Sequence, residues 1–174
     1  MAITKIQSES LNLADTYAFT GTVTGAGGVN TPYFSARTGG NQNPSDNVAT
    51  KIDFTSELLD SDNYYDTTNK RFTPQVAGKY YISVQVFLSS NTTSNLKTAI
   101  VGIYKNGSEV IRADNYYATN YVDSGYFIVE KIIDFNGSSD YVEAYATIDT
   151  VSGSGMTIYS SNSRNLFQGY KIIE

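Results

Sequence analysis

Between Tyr80 and Leu88 every second residue is apolar or aromatic (Tyr80, Ile82, Val84, Val86, Leu88), while the interleaved set is Tyr81, Ser83, Gln85 and Phe87. A strand sends alternate side chains to opposite faces, so this stretch predicts one core face and one mixed face. Two further segments carry the same period. From Tyr126 to Phe135 the residues Phe127, Val129, Ile133 and Phe135 share a side, broken by Lys131, and Ile128 and Ile132 stand opposite, so both faces read as covered. From Tyr141 to Asp149 the set Val142, Ala144, Ala146 and Ile148 alternates with Tyr141, Glu143, Tyr145 and Thr147, which reads as a half-buried strand.

Turn chemistry separates these runs. Asn106-Gly107 and Asn136-Gly137 supply positive φ and read as hairpin signals. Thr38-Gly39-Gly40, Asn43-Pro44-Ser45, Asn91-Thr92-Thr93-Ser94 and Ser152-Gly153-Ser154-Gly155 punctuate the rest. With 15 Tyr and 8 Phe among many Ser, Thr and Asn, the chain is predicted to be all-β, a sandwich or jelly roll of short strands. Ser56-Glu57-Leu58-Leu59 is the only helical candidate, expected as a single turn. The 174 residues suit one domain, divided here into a leader and connector (1–31) and a head (32–174).

Composition removes whole classes of chemistry. The chain has no Cys and no His, so disulfides, thiolate nucleophiles, zinc fingers and the commonest general base are excluded. Twelve basic against 17 acidic residues leave a formal charge of −5, which argues against a broad nucleic-acid footprint. No apolar run reaches the roughly 20 residues of a spanning helix, and MAITKIQSES lacks the apolar core of a signal peptide, so no membrane insertion is expected. No cofactor is implied.

Several local patterns invite a sharper reading. Asp60-Ser61-Asp62-Asn63, with Asp66, offers oxygen ligands for calcium, but the glycine and distal glutamate of a calcium loop are missing and a polar turn is the plainer reading. Asp134 and Asp140 could pair as in glycoside hydrolysis, yet they flank a turn and read as solvated loop charges. Ser152-Gly153-Ser154-Gly155-Met156 frames a serine with glycines, but no His exists to activate it. Tyr64, Tyr65, Tyr116, Tyr117 and Tyr121 lie near turns, where a flat apolar face with a hydroxyl tip suits sugar stacking or protein contact; rim packing between strands is the alternative. Asn-x-Ser/Thr triplets at Asn91, Asn106 and Asn136 read as turns.

Five blocks in order carry a family resemblance: Phe34-Ser35-Ala36-Arg37; Phe72-Thr73-Pro74 with Gly78-Lys79-Tyr80-Tyr81-Ile82-Ser83-Val84; Tyr104-Lys105-Asn106-Gly107; Gly137-Ser138-Ser139-Asp140-Tyr141-Val142; and Phe167-Gln168-Gly169-Tyr170-Lys171-Ile172. From about residue 33 to 174 the chain resembles the globular head of complement component one-q, the trimeric jelly roll shared with tumour necrosis factor. The resemblance implies a ten-stranded antiparallel two-sheet jelly roll that packs as a homotrimer. It places Gly78, Tyr80, Phe167 and Gly169 on scaffold positions. It also sets the sheet of Tyr80–Leu88 against the threefold axis, so Tyr81, Gln85 and Phe87 are expected to touch neighbouring subunits. The collagen stem and the cysteine often found after the Phe72 block in animal heads are both absent.

The leader looks different. Ala18-Phe19-Thr20-Gly21-Thr22-Val23-Thr24-Gly25-Ala26-Gly27 is similar to the start of structural proteins encoded by tailed bacteriophages. The expected function is therefore non-enzymatic: a trimeric head on a virion, as fibre tip, knob or capsid decoration. Assembly would take place in a reducing bacterial cytoplasm. The leader would bind other virion proteins, and the head would meet a host-surface glycan or protein. A non-viral bacterial module of the same fold, binding carbohydrate or protein, is the alternative.

Overall fold

The computed structural model describes residues 30–160 and 164–173. Strands form where the alternation predicts them. The first sheet contains β1 (Tyr33–Arg37), β3 (Ser56–Asp60), β6 (Gly78–Ser89), β9 (Ser124–Phe135), β11 (Thr157–Ile158) and β12 (Leu166–Lys171). The second contains β2 (Thr50–Lys51), β4 (Tyr65–Asp66), β5 (Arg71–Phe72), β7 (Leu96–Lys105), β8 (Ser108–Tyr116) and β10 (Val142–Thr150). Every pairing is antiparallel. The first sheet runs β9-β6-β12-β1-β3, with β11 sharing an edge of β6 with β12; the second runs β4-β5-β10-β7-β8, with β2 beside β5 on β10. Four of the twelve segments are only two residues long, and the eight longer ones carry the sandwich.

The core lies between the sheets. Tyr80, Ile82, Val84, Val86 and Leu88 of β6 are fully buried and Phe127, Val129, Ile133 and Phe135 of the neighbouring β9 are buried, as are Val142 and Ile148 of β10 and Val101 and Ile103 of the neighbouring β7 in the second sheet. Register defines two ends: Tyr33 pairs with Tyr170 at the terminal end, and Arg37 with Leu166 toward the apical end. The terminal end is aromatic, with Phe34 stacked on Phe72 at 4.2 Å and edge-on to Phe167 at 4.8 Å, and Tyr80 against Phe135 at 5.0 Å. The apical end is aliphatic, built from Leu88, Leu96, Ile148 and Ile158. Offset and edge-on ring pairs add roughly 0.5–1.5 kcal/mol each to the area they bury.

Glycine is required where the layers approach most closely. A Cβ on Gly169 would lie 2.6 Å from Ile82 Cδ1 and 2.8 Å from the Tyr81 carbonyl oxygen, so only a residue without a side chain fits between Phe34 and β6. Phe167 is fully buried two residues earlier on the same face. Gly78 opens β6 at φ 139° under the Lys171 side chain, and Tyr80 donates its hydroxyl proton to the Val76 carbonyl at 2.8 Å. Burial holds the Tyr80 phenol up at about pKa 12.

Three expectations need correction. Ser56-Glu57-Leu58-Leu59 is not a helical turn but most of strand β3, because Arg37, Ala36 and Ser35 pair with it and satisfy its backbone. Asn106-Gly107 does form a two-residue hairpin, both residues at positive φ, between β7 and β8. Asn136-Gly137 does not, because it carries the chain from the first sheet to the second; there Asn136 Oδ1 accepts the backbone N–H groups of Ser138, Ser139 and Asp140. Finally, Ile128 and Ile132 are uncovered in the single chain, being 52% and 56% exposed on the outer face of β9. Lys131, the break in the alternation, reaches the Val110 carbonyl of β8 at 2.8 Å, where the two sheets meet at an edge.

Candidate functional site

The outward face of the first sheet concentrates the chain's exposed apolar surface. Direct pairing across β6 and β9 sets Tyr81 opposite Ile132, Gln85 opposite Ile128 and Phe87 opposite Tyr126. On the other edge of β6, Tyr81 pairs with Tyr170, the rings 5.4 Å apart. The three residues singled out on β6 are thus each answered by an exposed apolar neighbour. A hydrogen bond to Glu130 raises the Tyr81 phenol above its ordinary pKa, and Ser83 Oγ donates to Glu130 Oε1 at 3.3 Å, so the one carboxylate near the middle of the face has partners. Phe87 lies beside Tyr159 at 6.0 Å and under the Arg164 guanidinium at 4.8 Å. Toward the terminal end, Tyr33, Leu59, Tyr81, Gln168 and Tyr170 line a cavity of about 320 Å³.

Such a face can exclude water against another protein surface. Isolated apolar residues on a surface are normal, whereas a contiguous sheet face of them marks an interaction site. Tyr126, Ile128, Ile132, Leu59 and Tyr170 extend the set beyond the sequence reading. The apolar residues on both sides of the alternation in β9 were the signal for the first three.

The tyrosine candidates separate. Tyr64 and Tyr65 sit at the terminal end, and Tyr116, Tyr117 and Tyr121 at the apical end, so no single site contains them. Tyr65 must be withdrawn as a ligand-stacking residue: it is buried, stacks on Phe34 at 5.1 Å and donates its hydroxyl proton to the Phe54 carbonyl at 2.7 Å. Its burial, aided by Asp66, pushes the phenol pKa far up. Tyr64 and Tyr117 pack partly against the core. Tyr116 is well exposed; with Tyr121 it flanks the Lys97–Asp149 ion pair of 2.9 Å, which raises the Lys97 pKa.

The acidic candidates hold turns. Asp60 accepts from the Tyr65 and Asp62 N–H groups, and Asp66 accepts from Thr68 and Asn69, which lowers its pKa. Asp140 is clamped by Lys105 at 2.8 Å, Asn106 Nδ2 at 2.8 Å and the Asn136 N–H at 2.9 Å, while Lys105 reaches only the backbone carbonyl of Asp134. Among the described residues no cluster of acidic side chains is arranged to hold a metal ion. The sequence reading missed Glu143, which is buried on β10 and ion-paired to Lys51 at 2.6 Å and Arg71 at 3.1 Å. Beside it Tyr145 packs at a tilt against Tyr104, the rings 4.4 Å apart. Nothing along β10 distinguishes Glu143 from a solvent-facing strand residue until β2 and β5 bring their cations to it.

Two packed antiparallel sheets in this strand order define a jelly-roll sandwich with an apolar outer face. The C1q domain family matches residues 33–170, and the chain belongs to that family. Among solved structures it is similar to an Eiger TNF from S. frugiperda, at 11% identity over 81% of this chain and 90% of that one, with a TM-score of 0.60. It is also similar to the globular domain of zebrafish complement 1qA, at 14% identity over 82% and 98%, with a TM-score of 0.56. A comparison with curated protein sequences found no match. C1q and TNF-like domains are generally non-enzymatic binding modules and commonly form homotrimers.

Proposed function

We propose that this chain is the non-enzymatic, homotrimeric head of a bacteriophage virion protein, a fibre tip, knob or capsid decoration, attached to the particle through its N-terminal leader. The observation that carries the trimer is the outer face of the first sheet, where Tyr126, Ile128 and Ile132 stand exposed beside the half-buried Tyr81 and Phe87 in one chain. Burying such side chains in a common interface is worth roughly 1.5–3 kcal/mol each. The virion assignment is supported by the leader's likeness to phage structural proteins and by the lack of cysteine, which suits assembly in a reducing cytoplasm.

In the leader, Ile3, Ile6, Leu11, Leu13, Tyr17 and Phe19 are the apolar anchors for other virion proteins; residues 1–29 lie outside the described residues. Three copies emerging from one trimer would attach multivalently, through effective concentration. The test is deletion of residues 2–24 with mass spectrometry of purified particles. The proposal expects a trimeric, thermally stable head that no longer incorporates. A full-length protein absent from virions would instead favour the non-viral binding module.

A further inference from the structure

At the apical end, loops bearing Asn43 to Asp46, Asn91 and Gly153 to Met156 enclose an open cleft of about 520 Å³ within a single chain. That volume is in the range of small-molecule sites, about 300–1,000 Å³. The cleft contains the glycine-framed serine segment.

Its walls are built by hydrogen bonds that leave defined groups over. Asp46 Oδ1 accepts from the Thr150 N–H at 2.9 Å and the Thr150 hydroxyl at 3.0 Å, while Oδ2 takes no hydrogen bond from the described residues. Asn43 Oδ1 accepts the Thr157 hydroxyl at 2.7 Å, leaving the Asn43 amide NH2 to donate elsewhere. Asn91 spends both ends, donating to Thr157 Oγ1 and accepting the Tyr159 hydroxyl at 2.6 Å, so it serves as a fixed wall. Gly155, at φ 78°, brings the loop so near the Ser90 carbonyl that a Cβ would lie 3.0 Å from it. Pro44 and Met156, both largely buried, close the floor.

We propose that this cleft binds a neutral saccharide. The chemistry left over is one oriented carboxylate oxygen, one amide donor and the Ser45 hydroxyl, a set that matches neighbouring sugar hydroxyls acting as donor and acceptor in turn. Among the described residues no Lys or Arg lines the cleft, so phosphate, sulfate and uronate groups meet an unbalanced carboxylate. A single carboxylate is also too few for a divalent cation, which takes about six to eight oxygen ligands as calcium. The inference rests on the binding-module reading and names its ligand class; it needs neither the trimer nor the virion.

Saturation-transfer NMR on the full chain, with glucose, galactose, mannose and their N-acetyl forms as probes and glucuronate as the charged control, tests it. The expected result is transfer to at least one neutral sugar at millimolar concentration and none to glucuronate. Asp46→Asn keeps the Oδ1 acceptor but turns Oδ2 into a donor, and should weaken binding about tenfold or more. Ser154→Trp, at the exposed mouth, should abolish it while keeping the bonds to Thr150 Oγ1, which run through the Ser154 main chain, and Tyr116→Ala should leave binding unchanged. No transfer to any neutral sugar, equal transfer to glucuronate, or binding indifferent to both cleft variants overturns the proposal. Absence from virions with intact sugar binding would overturn the virion reading alone.

Discussion

Tyr81 of β6 and Ile132 of β9 stand directly opposite each other in an antiparallel pair, and both side chains leave the sandwich on its outer face. Their backs are the fully buried Tyr80 and Ile82 and the buried Ile133, so the strand pair is apolar on both sides. One side closes the subunit; the other is the face through which the proposed trimer would pack.

Ile132→Asp combined with Tyr81→Asp should therefore release subunits without unfolding them, since neither side chain is needed inside the sandwich. Sedimentation velocity at micromolar concentration should show a monomer with an unchanged far-ultraviolet spectrum. A persistent trimer would show that this face is not the interface.

Gly169→Ala should cost about 1–3 kcal/mol, because the new methyl meets the Tyr81 carbonyl and Ile82 at distances that backbone cannot easily yield. At about 2–4 °C per kcal/mol for a chain of this size, calorimetry should find the midpoint several degrees lower. Gly40→Ala, with nothing within 4 Å of its Cβ, is the matched control and should be close to neutral.

Asp140 carries a pKa lowered from the ordinary 3.8, first by its hydrogen bond with Lys105 and then by Asn106. A carboxyl whose folded pKa is depressed adds stability above its unfolded pKa and loses it as pH falls through the folded one. Denaturant melts should accordingly show wild type more stable than Asp140→Asn at neutral pH. The two should converge as the pH drops through and below 3.8. A gap that persists in acid would place the contribution in shape rather than charge.

Glu143 is buried with two cations converging on it, each itself only partly exposed. Lys51→Met or Arg71→Met alone leaves one cation, whereas both together leave a buried carboxylate with only the Tyr145 hydroxyl for a partner. The double variant should exceed the sum of the singles by about 1 kcal/mol or more in a thermodynamic cycle. Additivity would mean that the two cations act separately.

Much of this was legible along the chain because strand period and turn chemistry are local properties. The alternation in Tyr80–Leu88 and Tyr141–Asp149 assigns the core faces that the structure shows, and Asn106-Gly107 closes a hairpin because its backbone preference needs no help from elsewhere. What tertiary structure alone decided is which segments meet. Ser56–Leu59 carries a helical turn's composition but becomes a strand once β1 offers it hydrogen bonds. Tyr65 looks like a loop aromatic and ends in the core because Phe34 and Phe167, far away in sequence, meet it there, one stacked and one edge-on. Glu143 is an ordinary strand carboxylate until β2 and β5 deliver Lys51 and Arg71. The apical cleft joins residues more than a hundred positions apart, so no window of sequence contains it. Periodicity reports the preferences of neighbours along the chain; sites depend on which strangers the fold makes adjacent.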